Sequence, residues 1–220
     1  MTYVVTSDNE LNRVVAPNLP LAPETPDRAY MDQLNNVLRL YFNQLNNILG
    51  QLSTGNSIST VQFPYGAFSR NTQQSAAVIN TAYAVAFDTT DFSNDVTLVS
   101  TTQITATNSG VYNFQFSVQL ENTANASSDV TFWVKQNGTN INASGGLFGM
   151  SPRKSALDYF HLIGGYNVFV SLTAGQYIEL YWSTTDTASS IQNYAASGVA
   201  PNNIPSSPAV IATMSFVSSL

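Results

Sequence analysis

Residues 110–120 read Gly-Val-Tyr-Asn-Phe-Gln-Phe-Ser-Val-Gln-Leu, an unbroken alternation of polar and apolar side chains. Successive side chains on a strand point to opposite sides, so Tyr112, Phe114, Phe116, Val118 and Leu120 share one face. Val111, Asn113, Gln115, Ser117 and Gln119 share the other. A strand with one apolar face needs a second layer to bury it, and the chain downstream is written the same way. Further strands are predicted over 82–87, 96–99, 103–106, 130–136, 140–143, 157–163, 167–172, 177–183 and 210–217. Turn signals separate them: Asn108-Ser109-Gly110, Asn137-Gly138, Gly164-Gly165 and Ala174-Gly175. Short strands with frequent turns and no helical pattern between them predict an all-β domain over 76–220, a sandwich or jelly roll.

Upstream the periodicity changes. Met31, Leu34, Leu38, Tyr41, Leu45, Ile48 and Leu52 are spaced alternately three and four apart, an a/d heptad seam over about three heptads. A helix over 27–52 follows, with Thr25 as its cap, Pro26 in its first turn, Asp27 at the positive end of its dipole, and Gly50 or Gly55 as its stop. Val37, Leu40, Phe42 and Leu49 widen the stripe beyond a two-stranded seam. A helix of this length is marginal alone. It must bury its stripe on copies of itself, a trimer being favoured, or on its own domain. Residues 53–75 read as a connector made adhesive by Phe63, Tyr65 and Phe68.

Ahead of the helix, Pro17, Pro20, Pro23 and Pro26 predict an extended arm over 1–26. Val14, Val15, Leu19 and Leu21 give that arm apolar contacts for docking onto another subunit. The stretch 184–208, rich in Ser, Ala, Asn and Pro, is expected to be a long surface loop.

Bulk composition narrows the chemistry. Only 9% of the 220 residues are charged, against about 25% in an ordinary domain. The net charge is −6, and the few Lys and Arg residues are dispersed, so no basic footprint for nucleic acid is expected. There is no cysteine, which excludes disulfides, thiolate nucleophiles and cysteine-built zinc sites. The N-terminal residues lack the basic start and apolar centre of a signal peptide, and no apolar run is long enough for membrane insertion. His161 is the lone histidine, so a two-histidine metal site within one chain is excluded, and its place in a strand alternation favours a structural role. Asp88, Asp91 and Asp95 offer oxygens of the kind Ca²⁺ takes, but at a spacing matching no loop motif. Scattered acids nominate no catalytic pair, so the expectation is a protein that is not an enzyme and calls for no cofactor. Trp133, Tyr159, Tyr166, Tyr177, Tyr181, Trp182 and Tyr194 are able to stack on sugars or fill an interface.

Three stretches carry a family resemblance. Residues 109–114 (Ser-Gly-Val-Tyr-Asn-Phe), 132–138 (Phe-Trp-Val-Lys-Gln-Asn-Gly) and 170–180 (Val-Ser-Leu-Thr-Ala-Gly-Gln-Tyr-Ile-Glu-Leu) resemble, in order, landmarks of the complement and tumour necrosis factor globular head. Gln176 departs from the usual acidic residue after the glycine. The resemblance covers 76–220 and implies a jelly roll that assembles as a homotrimer, with the heptad segment where a stalk belongs. Residues 18–23 and 38–45 are similar to leaders of structural proteins from phages of marine bacteria and cyanobacteria. The implied function is a bacteriophage virion appendage, a tail fibre or spike. Its arm would meet other virion proteins of capsid or tail, and its head would meet a host cell-surface glycan, with Tyr194, Asn193 and Trp182 as candidate receptor contacts. A capsid decoration protein with the same trimer is the near alternative. A secreted complement-like lectin or ligand is the more distant one.

Overall fold

The computed structural model describes residues 17–21, 27–53, 63–198 and 203–220, and for 48–53 the backbone alone. The chain divides into two units, residues 1–62 and 63–220.

In the first unit, helix α1 spans Arg28–Ser53. Asp27 caps it: its Oδ1 accepts from the Ala29 amide at 3.1 Å, and its carbonyl accepts from the Met31 amide at 3.2 Å. The cap expected at Thr25 lies outside the described residues. Gly50 is helical and does not stop the helix. Arg28 and Asp32 approach to 3.9 Å on the exposed surface, a pair that contributes little in water. Leu34, Leu38, Tyr41 and Leu45 lie half-exposed along one side, with Met31, Leu40 and Phe42 half or more exposed. Among the described residues of this unit no second element covers the stripe. The side chains of Ile48 and Leu52 fall outside the described residues, as do Val14 and Val15. Leu19 and Leu21 belong to a segment without regular structure and are exposed.

The second unit is mainly β and sandwich-like. Its strands are β1 (Tyr65–Arg70), β2 (Gln74–Ser75), β3 (Tyr83–Ala84), β4 (Thr89–Asn94), β5 (Val96–Val99), β6 (Gln103–Ala106) and β7 (Gly110–Asn122). There follow β8 (Ser128–Gln136), β9 (Thr139–Asn140), β10 (Gly146–Met150), β11 (Phe160–Leu172), β12 (Tyr177–Thr184), β13 (Ser189–Ile191) and β14 (Val210–Ser218). One antiparallel sheet runs β4-β1-β14-β7-β11, with β13 continuing beside the end of β7 and carrying β2. The other runs β5-β6-β12-β8-β10, with β3 beside β12 and β9 beside β8.

The inner faces follow the alternation that marks β7. Tyr112, Phe114, Phe116, Val118 and Leu120 are all within 5% exposure, as are Val130, Phe132 and Val134 of β8 and Ile178, Leu180 and Trp182 of β12. Aromatic rings tie the layers. Phe116 of one sheet meets Phe132 of the other at 5.5 Å, and Phe132 stacks on Trp182 at 6.4 Å. Tyr166 of β11 closes the edge: its ring meets Phe116 at 4.6 Å, and its hydroxyl lies 2.8 Å from the Phe132 carbonyl oxygen and 2.7 Å from that of Ser144. Burial pushes this phenol up to about 12.

Several boundaries differ from expectation. Gly164-Gly165 is not a turn. Residues 160–163 of the expected strand 157–163 join 167–172 in one thirteen-residue strand, β11, paired along all of β7, while 157–159 stay outside it. Gly165 is there for space, since a Cβ would strike the Phe116 carbonyl oxygen across the ladder. Residues 65–70, expected as connector, form β1 and pair with both β14 and β4. β4, β10 and β13 also fall in stretches read as loop. β4 (Thr-Thr-Asp-Phe-Ser-Asn) lies at a sheet edge with most of its residues exposed, so no apolar alternation announces it. By contrast β5 and β6 match their predicted limits, and Asn137 and Gly138 take positive φ (48° and 80°) in the hairpin joining β8 to β9.

Candidate functional site

The outer face of the first sheet is built from the polar half of the β7 alternation. Asn113, Gln115, Ser117, Gln119 and Glu121 point away from the core, between β11 on one side and β14 and β13 on the other. Their neighbours put aliphatic and aromatic carbon into water: Ile163 and Phe169 on β11, Ile211 and Val217 on β14. An open depression of about 420 Å³ crosses the middle, lined among others by Gln115, Ser117, Gly165, Asn167, Ile211 and Thr213. Small residues at 117 and 165, paired across the ladder, leave this hollow between longer amides.

At one end of the face, β7 and β11 place Glu121 directly opposite His161. Past β13 the chain makes an excursion bridged at Tyr194–Ser207 and Ser197–Ile204, which brings Tyr194 back over this pair. The Tyr194 hydroxyl is 2.7 Å from His161 Nδ1 and 3.4 Å from Glu121 Oε2, and the latter two atoms are 3.6 Å apart. Glu121 is 8% exposed. The hydroxyl donates to Glu121 Oε2, and with an unprotonated Nδ1 its one proton is shared with the imidazole at the shorter distance. Burial, then the Glu121 charge and its hydrogen bond, raise the Tyr194 phenol far above the ordinary range. A phenol so held stays neutral and serves as a fastener of the bridged Tyr194 and Ser207 segments to the sheet.

The expected receptor contacts therefore fare differently. Tyr194 is half-buried, with its hydroxyl committed internally, and Asn193 beside it is also half-buried. Trp182 is 1% exposed and packed between Tyr83 and Phe132, so it has no surface to offer a receptor. His161 lies on the outer face opposite Glu121. The Glu121–His161–Tyr194 convergence went unread because its members are far apart in sequence and meet only through the β7/β11 register. Asp91 accepts from Ser69 Oγ at 3.1 Å, Asp88 accepts from Thr89 Oγ1 at 3.0 Å, and Asp95 Oδ2 is buried without a partner. Among the described residues no three His, Cys, Asp or Glu side chains converge as a metal site, and no helix is long and apolar enough to cross a membrane.

The tyrosines make alkaline stability a test of this geometry. Tyr112 and Tyr166 are raised from 10.0 to about 12, and Tyr194 is raised further. Below pH 10 each is protonated whether folded or unfolded, and the contribution is fully present. As pH rises from 10 toward 12 the unfolded chain ionises first, so the fold loses stability. Thermal melts across pH 9–12 should fall in that window, and less steeply for Tyr166→Phe; equal slopes would contradict the buried phenol.

No protein-family model matches this chain, and no curated protein matches its sequence.

Proposed function

We propose that this chain is a non-enzymatic structural protein of a bacteriophage virion, a trimeric surface appendage whose head meets a host surface glycan. The observation that carries the reading is the helix. Among the described residues its apolar seam has no covering element in its own unit, and it belongs to a different unit from the β head. Such a stripe is stable when copies of it bundle. Three copies would set three heads around one axis, with residues 1–26 as the arm that joins the particle.

The strand order of the head supports a jelly roll. β1-β14-β7-β11 lies in one antiparallel sheet and β6-β12-β8-β10 in the other, so that the chain passes repeatedly between two sheets in the manner of a jelly roll. The outer face of the first sheet, with Ile163, Phe169 and Ile211, suits contact between heads better than solvent.

Mass spectrometry of purified phage particles should find this chain, and its absence from them ends the reading. Deleting residues 1–26 should leave a soluble trimer that no longer enters particles; normal incorporation of the truncated chain would remove the arm as anchor. Cross-links to the capsid lattice in place of tail proteins would favour a decoration role.

A further inference from the structure

The outer face of the second sheet has a different chemistry from that of the first. Val130, Phe132 and Val134 of β8 point into the core, so Thr131, Trp133 and Lys135 point out. Register puts Trp133 opposite Tyr181 and Lys135 opposite Glu179. The Trp133 and Tyr181 rings lie 5.9 Å apart, tilted by 33°, and the Lys135 ammonium sits 3.9 Å from the Tyr181 ring centre. Trp133 Nε1 donates to Asn140 Oδ1 at 3.0 Å, which fixes the indole and leaves the Asn140 amide hydrogens free of that bond. Glu179, 7% exposed, accepts from Thr102 Oγ1 at 2.8 Å.

We propose that this Trp133–Tyr181 pair, bordered by Asn140, Lys135 and Glu179, is a binding site for a neutral oligosaccharide chain. The proposal rests on the glycan-binding part of the reading above and names a face for it. Aromatic rings carry negative faces that attract the polarised C–H groups of a pyranose. The Asn140 amide and the Lys135 ammonium beside them are donors for sugar hydroxyls. Charge selects the neutral class: the one ammonium at the site, Lys135, already faces the Glu179 carboxylate across the ladder and sits over the Tyr181 ring, and the chain as a whole carries a net charge of −6.

The test is calorimetric titration of the full chain with maltoheptaose, cellohexaose and mannohexaose, and with an alginate hexamer as the anionic probe. At least one neutral probe should bind saturably. That binding should weaken by about tenfold or more in Trp133→Ala and in Tyr181→Ala, and persist in Tyr194→Phe. Because Trp182 is 1% exposed, a change in wild-type tryptophan fluorescence on binding reports Trp133. Should Trp133→Ala melt early, Trp133→Leu keeps apolar cover on the strand and carries the test. Binding of a neutral probe that survives both ring deletions overturns this face while leaving glycan binding in place. Absence of neutral binding, or tighter alginate binding, overturns the neutral-sugar assignment; the particle assignment is decided separately by virion mass spectrometry.

Discussion

If the proposed trimer is held by the α1 seam, changing Leu38 and Leu45 together to aspartate should convert it into single chains. Each leucine buried in a seam contributes roughly 2 kcal/mol, and the change removes two from every chain in the bundle. The new carboxylates would face one another near the axis, where like charges in low dielectric repel strongly. The head has its own core, so the variant should stay folded and its melting by near-ultraviolet circular dichroism should persist. Light scattering should report the mass of one chain. An unchanged mass would place the assembly contacts elsewhere, on the heads alone.

Gly165→Ala should destabilise the head more than any other single methyl added to a strand glycine of β10 or β11. The new carbon meets the Phe116 carbonyl oxygen, a backbone atom fixed by pairing on both sides of β7. Relief requires opening the β7/β11 ladder, a loss of about 3 kcal/mol or more. For a domain of this size that lowers the melting temperature by roughly 10 °C. Gly149→Ala is the control. Its added methyl finds only Asp129 Oδ1, at an ordinary 3.8 Å, so its melt should stay close to the parent. Equal melts for the two variants would contradict the tight ladder.

Gly165 also marks where sequence reading stopped working. Two adjacent glycines between apolar runs look like a hairpin turn, and only the partner strand reveals that the second one clears a carbonyl. The strands that were legible, β7, β8, β12 and β14, are central ones whose alternation comes from burying one face against the core. β4 and β13 were not legible, because one is a polar edge strand and the other has only three residues, all of them buried. The helix was legible from its seam, and Asp27, read as complementing the helix dipole, also accepts from the Ala29 amide.

The site was less legible than the fold. Composition pointed to aromatics as candidate sugar contacts but could not say which way each one faces. Alternation on β8 sends Phe132 inward and Trp133 outward, whereas Trp182 on β12 falls on the core side and leaves Tyr181 outside. Tyr194, chosen for its place in a loop, proved to be the clasp that holds that loop down.

Sedimentation equilibrium of the full-length chain, followed through serial dilution, tests self-association most directly. The expected result is a species of three 23.8 kDa chains that persists until the lowest concentrations. A stable single chain of 23.8 kDa at every concentration would contradict the stalk and with it the particle-borne appendage.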